Sequence, residues 1–158
     1  MAYLQEHSYG VVPAHREGST WRFLLVQHAT RRERAPKEER AGHWAFPKGH
    51  PEDKEAPIDT ARRELAEEAG ILDAHIEEQP TFEERYFFTF EGSTVRKTVT
   101  YFLGIVTDTT VRIQEDEIVD YRWATLEEAL ELATFENARA ILRQAQEYLL
   151  ALDDRNTL

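Results

Sequence analysis

The sequence predicts an α/β or α+β fold, a mixed sheet with a helix on each side, and three observations lead there. Strand-length runs rich in β-branched and aromatic residues recur along the chain. Two stretches, Pro57–Ala69 and a C-terminal one ending at Leu152, carry apolar residues at helical spacing. At 158 residues, 41% of them hydrophobic and 11% aromatic, the chain encloses one core and is too short for two. No repeat, low-complexity tract or Pro/Gly/Ser-rich linker interrupts it, so residues 1–158 read as a single domain.

The elements follow in order. Tyr9–Ala14 and Trp21–His28 flank a polar turn with Gly18 and Ser19, which predicts a hairpin. Thr30–Arg40 is charge-dense and contains Pro36, the composition of a solvated loop in which Arg31 or Arg32 has an outside claim on a phosphate. In Pro57–Ala69, Ile58, Ala61, Leu65 and Ala69 fall on one helical stripe, Pro57 suits the first turn and Gly70 the C-cap. Phe82–Phe90 and Thr94–Thr107 predict two strands joined by Glu91-Gly92-Ser93. After an acidic loop, Gln114–Asp120, comes a short strand, Tyr121–Ala124. Thr125 and Glu128 form a capping box for the next helix, and Asn137 opens the last one. Ile141, Leu142, Ala145, Tyr148, Leu149 and Leu152 give that last helix a buried face.

Composition then narrows function. Nineteen basic residues stand against 30 acidic ones, a formal charge of −11, which excludes non-specific binding to duplex nucleic acid through a basic surface. A polyphosphate ligand needs local help, most simply a divalent cation held by carboxylates. With no cysteine, disulfides, zinc–thiolate sites, iron–sulfur clusters and cysteine nucleophiles are excluded. The start, Met1–Gly10, has no apolar leader core, and no apolar run reaches bilayer-spanning length, so the expectation is a cytoplasmic protein with no membrane and no obligatory protein partner.

The chemistry concentrates in Gly49–Ile71. Glu64, Glu67 and Glu68 stand at i, i+3 and i+4, so their carboxylates leave one sector of the helix. Such a cluster repels itself unless a cation neutralises it, and hard ions such as Mg²⁺ and Mn²⁺ take oxygen ligands. A glutamate-rich face is ordinarily just solvated. What changes the reading is the spacing around it: Gly49, Glu55, Arg63, Glu64, Glu67, Glu68 and Gly70, with apolar Leu65 and Ile71, fit G-x5-E-x7-R-E-U-x-E-E-x-G-U at every position. Seven such matches arise by chance about once in 10⁸ windows.

This pattern resembles the box of the Nudix hydrolases, enzymes that cleave nucleoside diphosphates linked to another moiety. The resemblance implies an α/β/α sandwich around a mixed β-sheet, with the box helix on one face. It implies Mg²⁺, or Mn²⁺ as a substitute, held by Glu64, Glu67 and Glu68 with the carbonyl of Lys48 or Gly49. It makes Arg63 and Glu55 a pair that fixes the loop against the helix, and Glu64 the first choice for general base.

Further segments resemble the asymmetrically cleaving diadenosine tetraphosphate hydrolases: His43-Trp44-Ala45-Phe46-Pro47-Lys48-Gly49-His50, Arg96-Lys97-Thr98-Val99-Thr100-Tyr101-Phe102, and Asp120-Tyr121-Arg122-Trp123 with Leu126-Glu127-Glu128-Ala129. The resemblance runs from about Tyr9 to Leu150. It implies a distal metal ligand at Glu117 and phosphate contacts at Lys97, with His43 and Lys48 as weaker candidates. It also implies adenine stacking by Tyr121 with Phe88, or with Tyr86 on the same strand face. Lys54, where those enzymes often have glycine, and the long Thr30–Arg40 loop depart from the pattern and affect loop shape and substrate range. The expected reaction is Mg²⁺-assisted hydrolysis of diadenosine tetraphosphate to ATP and AMP. The alternatives are Nudix hydrolysis of RNA 5′ ends, nucleoside triphosphates or longer dinucleoside polyphosphates, and a non-catalytic nucleotide-binding module.

Overall fold

The computed structural model describes residues 3–30 and 41–156. Its elements are β1 (Leu4–Glu17), β2 (Thr20–Ala29), β3 (Ala41–Ala45), β4 (Lys48–Gly49), α1 (Pro57–Ala69), β5 (His75–Phe90), β6 (Ser93–Ile105), β7 (Ile118–Thr125), α2 (Leu126–Leu132) and α3 (Glu136–Asn156). The sheet runs β3-β2-β1-β6-β5, with β4 added to β1 and β7 to β2. β1 and β6 pair in parallel and the other pairs are antiparallel, so the sheet is mixed as expected.

The middle stretches of the two central strands, Val11–Ala14 of β1 and Phe23–Val26 of β2, are continuously apolar because both of their faces are covered. Val12, Phe23, Leu25 and Tyr101 point to one side and form a core with Ile141, Leu142 and Leu149 of α3. Val11, Leu24 and Val26 point to the other and pack on Ala61 and Leu65 of α1. A sheet between two helical layers results, with the box helix on one face. Gly70 ends α1 at φ 70° and donates its N–H to Ala66. The capping box at Thr125 forms in full.

Several boundaries differ from expectation. β1 begins at Leu4, not Tyr9, because its polar first half is held by parallel pairing with Val95–Val99. β5 begins at His75, seven residues before Phe82, and a bulge between Ile76 and Thr81 interrupts its register. β6 ends at Ile105 and β7 begins at Ile118, three residues before Tyr121. α3 begins at Glu136, so Asn137 lies inside it. β3 and β4, which carry the segment before the box, have no strand-like composition of their own; β3 is recruited by β2 and β4 by β1. Residues 31–40, with Arg31 and Arg32, lie outside the described residues. Among the described residues, no helix is long and apolar enough to cross a membrane.

Candidate active site

The site forms where α1 meets β4 and the ends of β2 and β7. Two glycines allow the close approach. A Cβ at Gly10 would stand 2.3 Å from the Pro47 carbonyl oxygen, and one at Gly49 would stand 2.1 Å from the Glu64 carboxyl. Both distances are far below van der Waals contact, so only glycine lets the loop run beneath β1 and lets Glu64 lie against its backbone.

Arg63 organises this corner. Its guanidinium meets Glu55 with two parallel bonds, Nε to Oε2 at 2.9 Å and Nη2 to Oε1 at 3.0 Å. It also donates to the His50 carbonyl at 2.9 Å, to Glu64 at 3.0 Å and to Glu67 at 3.2 Å. The planar fork suits a bidentate carboxylate, and here it ties loop to helix. Glu55 accepts from Thr60 Oγ1 as well, and the Arg63 hydrogen bond, followed by that of Thr60, brings its pKa down to about 2.

Glu64, Glu67, Glu68 and Glu117 line one cleft of about 560 Å³, together with Lys48, Gly49, His50 and Lys97. Glu117 reaches it from a turn in which its N–H bonds Gln114 and its carbonyl accepts from Ala29. Glu68 is 4% exposed and accepts the Lys48 N–H at 2.8 Å. Burial is the main reason its pKa rises to about 8, with Glu64 and Glu117 adding repulsion. Burial also raises Glu64, against the pull of Arg63.

Among the described residues no three carboxylates or imidazoles are close enough together to hold an ion as they stand. The donor chemistry nevertheless fits a hard divalent cation: four carboxylates line one cleft, and the most buried of them is raised by burial and by the repulsion of Glu64 and Glu117. Lys48 enters through its N–H, which serves Glu68, while the resemblance assigned a role to its carbonyl.

Lys97 is 4% exposed, and its ammonium is surrounded. Nζ lies 2.6 Å from Glu6 Oε1, 2.5 Å from Ser8 Oγ and 2.9 Å from His50 Nε2, one neighbour for each N–H. His50 also contacts the same Glu6 oxygen. A phosphate reaching Lys97 must therefore exchange with one of these partners.

The structure separates the aromatic residues expected to stack together. Tyr121 pairs with Val26, whose side chain belongs to the α1-side core, whereas Tyr86 and Phe88 share the other sheet face with Tyr101. Tyr121 and Phe88 thus cannot face each other across one ring. Instead, Tyr86 lines a second cleft of about 530 Å³ with Phe135, Tyr101, Glu84 and Asn137, and His43 and Lys48 line both clefts. Trp44 and Trp123 pack against the two cores.

A family model for the NUDIX domain matches residues 6–145. The chain belongs to the Nudix family. It is 37% identical over 112 residues to a protein of Sus scrofa named bis(5′-nucleosyl)-tetraphosphatase (asymmetrical), covering 70% of this chain and 74% of the relative. The same-named protein of Mus musculus is 34% identical over 134 residues, covering 84% of each. A crystal structure of a C. elegans Ap4A hydrolase binary complex superposes with a TM-score of 0.73 at 27% identity, covering 92% of this chain and 98% of that one. The chain is thus a hydrolase of pyrophosphate bonds.

Sequence reasoning missed several residues of the two clefts. His28 stands next to last in β2, and an imidazole near the close of an apolar strand is a signal that the strand runs into a polar site. Glu6 and Ser8 meet Lys97 only through the β1–β6 register. Phe135, 54% exposed just before α3, and Glu84, on the inward face of β5, were legible only as an unpaired aromatic and an acid between aromatics.

Proposed function

We propose that the chain hydrolyses diadenosine tetraphosphate asymmetrically to ATP and AMP, with Mg²⁺ as cofactor and Mn²⁺ as substitute. The observation that supports this reading best is the junction of the two clefts. His43 and Lys48 line both a carboxylate-lined cleft for the polyphosphate and an aromatic one of a size and lining that suit a purine.

Glu64, Glu67, Glu68 and Glu117 would hold the divalent ion, with the carbonyl of Lys48 or Gly49 as a further oxygen. When bound, the ion supplies positive charge for the phosphate oxygens and makes water a stronger acid. The chain's own residues do the rest. Arg63, clamped on Glu55, holds the loop and the carboxylates in place. Glu64, set in the cleft against the Gly49 backbone, takes the proton of the attacking water. Water adds to a phosphorus in line, the bridging P–O bond on its far side breaks, and the electron pair leaves with the ATP half. Lys97 and His50, with Lys48 and His43 at the junction, face the charge on the phosphate chain. Tyr86 and Phe135 offer faces for the adenine.

Products are to be analysed across a panel of dinucleoside polyphosphates, a nucleoside triphosphate and a triphosphorylated RNA, in H₂¹⁸O with Mg²⁺ and after chelation. The proposal expects ATP and ¹⁸O-labelled AMP from diadenosine tetraphosphate, the highest kcat/KM for that substrate, and loss of turnover on chelation. ADP as the product, or a higher kcat/KM on the RNA or triphosphate, overturns it.

A further inference from the structure

His28 is not explained by the roles given so far. It is the penultimate residue of β2, with its side chain 12% exposed, and lines the acidic cleft. Its Nε2 lies 3.1 Å from the Phe46 carbonyl oxygen, which can only accept, so Nε2 carries the proton. Nδ1, on the opposite edge of the ring, is then the nitrogen left to face the cleft. The ring plane is fixed a second time by stacking on His43, with centroids 4.8 Å apart and 14° between planes.

Nδ1 faces Glu68 Oε2 at 3.8 Å. That is too long for a hydrogen bond. It lies inside the span that two ligands of one ion can take: donors about 2.1 Å from a common centre stand about 3.0 Å apart when adjacent and about 4.2 Å apart when opposite. The other Glu68 oxygen is committed to the Lys48 N–H, so Oε2 is the one turned toward the imidazole. A histidine whose remote nitrogen is tied to a backbone carbonyl while the near one is free beside a carboxylate has the arrangement of a metal-ligating histidine.

We infer that His28 Nδ1 is a nitrogen ligand to a divalent ion held with Glu68, giving an otherwise all-oxygen site a preference for Mn²⁺ over Mg²⁺. The inference rests on the metal-binding reading of the cleft. Imidazole suits transition ions, whereas Mg²⁺ favours carboxylate, carbonyl and water, so one nitrogen donor shifts the balance between the two.

The test is pulsed EPR of the full chain loaded with Mn²⁺ alone. The inference expects a ¹⁴N coupling of the Mn²⁺ signal that disappears in His28→Ala and persists in His43→Ala. It also expects the ratio of Mg²⁺ to Mn²⁺ dissociation constants to fall about tenfold in His28→Ala. Wild-type protein that binds Mn²⁺ with no ¹⁴N coupling overturns the inference and leaves the carboxylate site standing. Wild-type protein that binds no Mn²⁺, or binds it as well after Glu68→Gln, overturns both. Because the decisive spectrum is that of the wild type, a poorly folding variant does not rescue the inference.

Discussion

Replacing Glu68 by glutamine removes a titration as well as a proposed ligand, and the two effects separate by pH. In the folded chain the Glu68 carboxyl, 4% exposed, has its pKa raised from 4.5 to about 8, chiefly by burial. Between those values the unfolded chain has already lost this proton while the folded chain keeps it. The unfolded state therefore binds fewer protons, and stability falls as pH rises. Its full contribution is present below pH 4.5 and lost by about pH 8, a change of at most about 5 kcal/mol when no cation is present. Glutamine keeps the size and an acceptor for the Lys48 N–H but does not titrate. The assay is urea unfolding followed by circular dichroism, on chelator-treated wild type and Glu68→Gln, at intervals from pH 5 to pH 8. The difference between the two should move steadily in favour of the variant with rising pH, and saturating Mg²⁺ should abolish the trend in the wild type. A difference that stays constant across the range refutes the reasoning, because Glu68 is then charged and satisfied without a cation.

Three further outcomes follow from the geometry. Gly49→Ala drives a methyl into the Glu64 carboxyl, so turnover should fall by at least about a hundredfold while the melting curve, read by circular dichroism, shifts little. Arg63→Lys cannot reproduce the bidentate grip on Glu55 and the His50 carbonyl; kcat should drop and lysine should not restore it, measured beside Arg63→Ala under saturating Mg²⁺. Removing an aromatic face at Tyr86 or Phe135 should raise KM for a dinucleotide by about tenfold, as the loss of one base stack does, with Tyr121→Ala leaving KM unchanged; the reverse pattern would restore the stacking role to Tyr121.

How much of this was legible in the sequence depends on whether the signal was local. The box helix was, because its apolar stripe, Pro57 and Gly70 each act within a few residues. The Arg63–Glu55 link came with the resemblance of the box, and the structure forms it as a bidentate pair. Pairing across the sheet was not legible. Leu4–Ser8 is polar and joins β1 only because β6 lies beside it in parallel, and that same register delivers Glu6 and Ser8 to Lys97. The Tyr121 assignment failed to assemble for a related reason. A strand's side chains alternate between faces, and only the register with Val26 shows that Tyr121 points to the α1 side, away from Tyr86 and Phe88. His28 likewise became a candidate only once the Phe46 carbonyl and Glu68 were seen on either side of its ring.

The central claim is that the carboxylates of α1 gather a divalent ion against a polyphosphate. Crystals grown with Mn²⁺ and a non-hydrolysable diadenosine polyphosphate test it most directly, through anomalous scattering at the manganese edge. The account predicts a peak bounded by Glu64, Glu67 and Glu68, with phosphate oxygens completing its shell. Well-ordered nucleotide with those three side chains turned to solvent and no peak among them would contradict it.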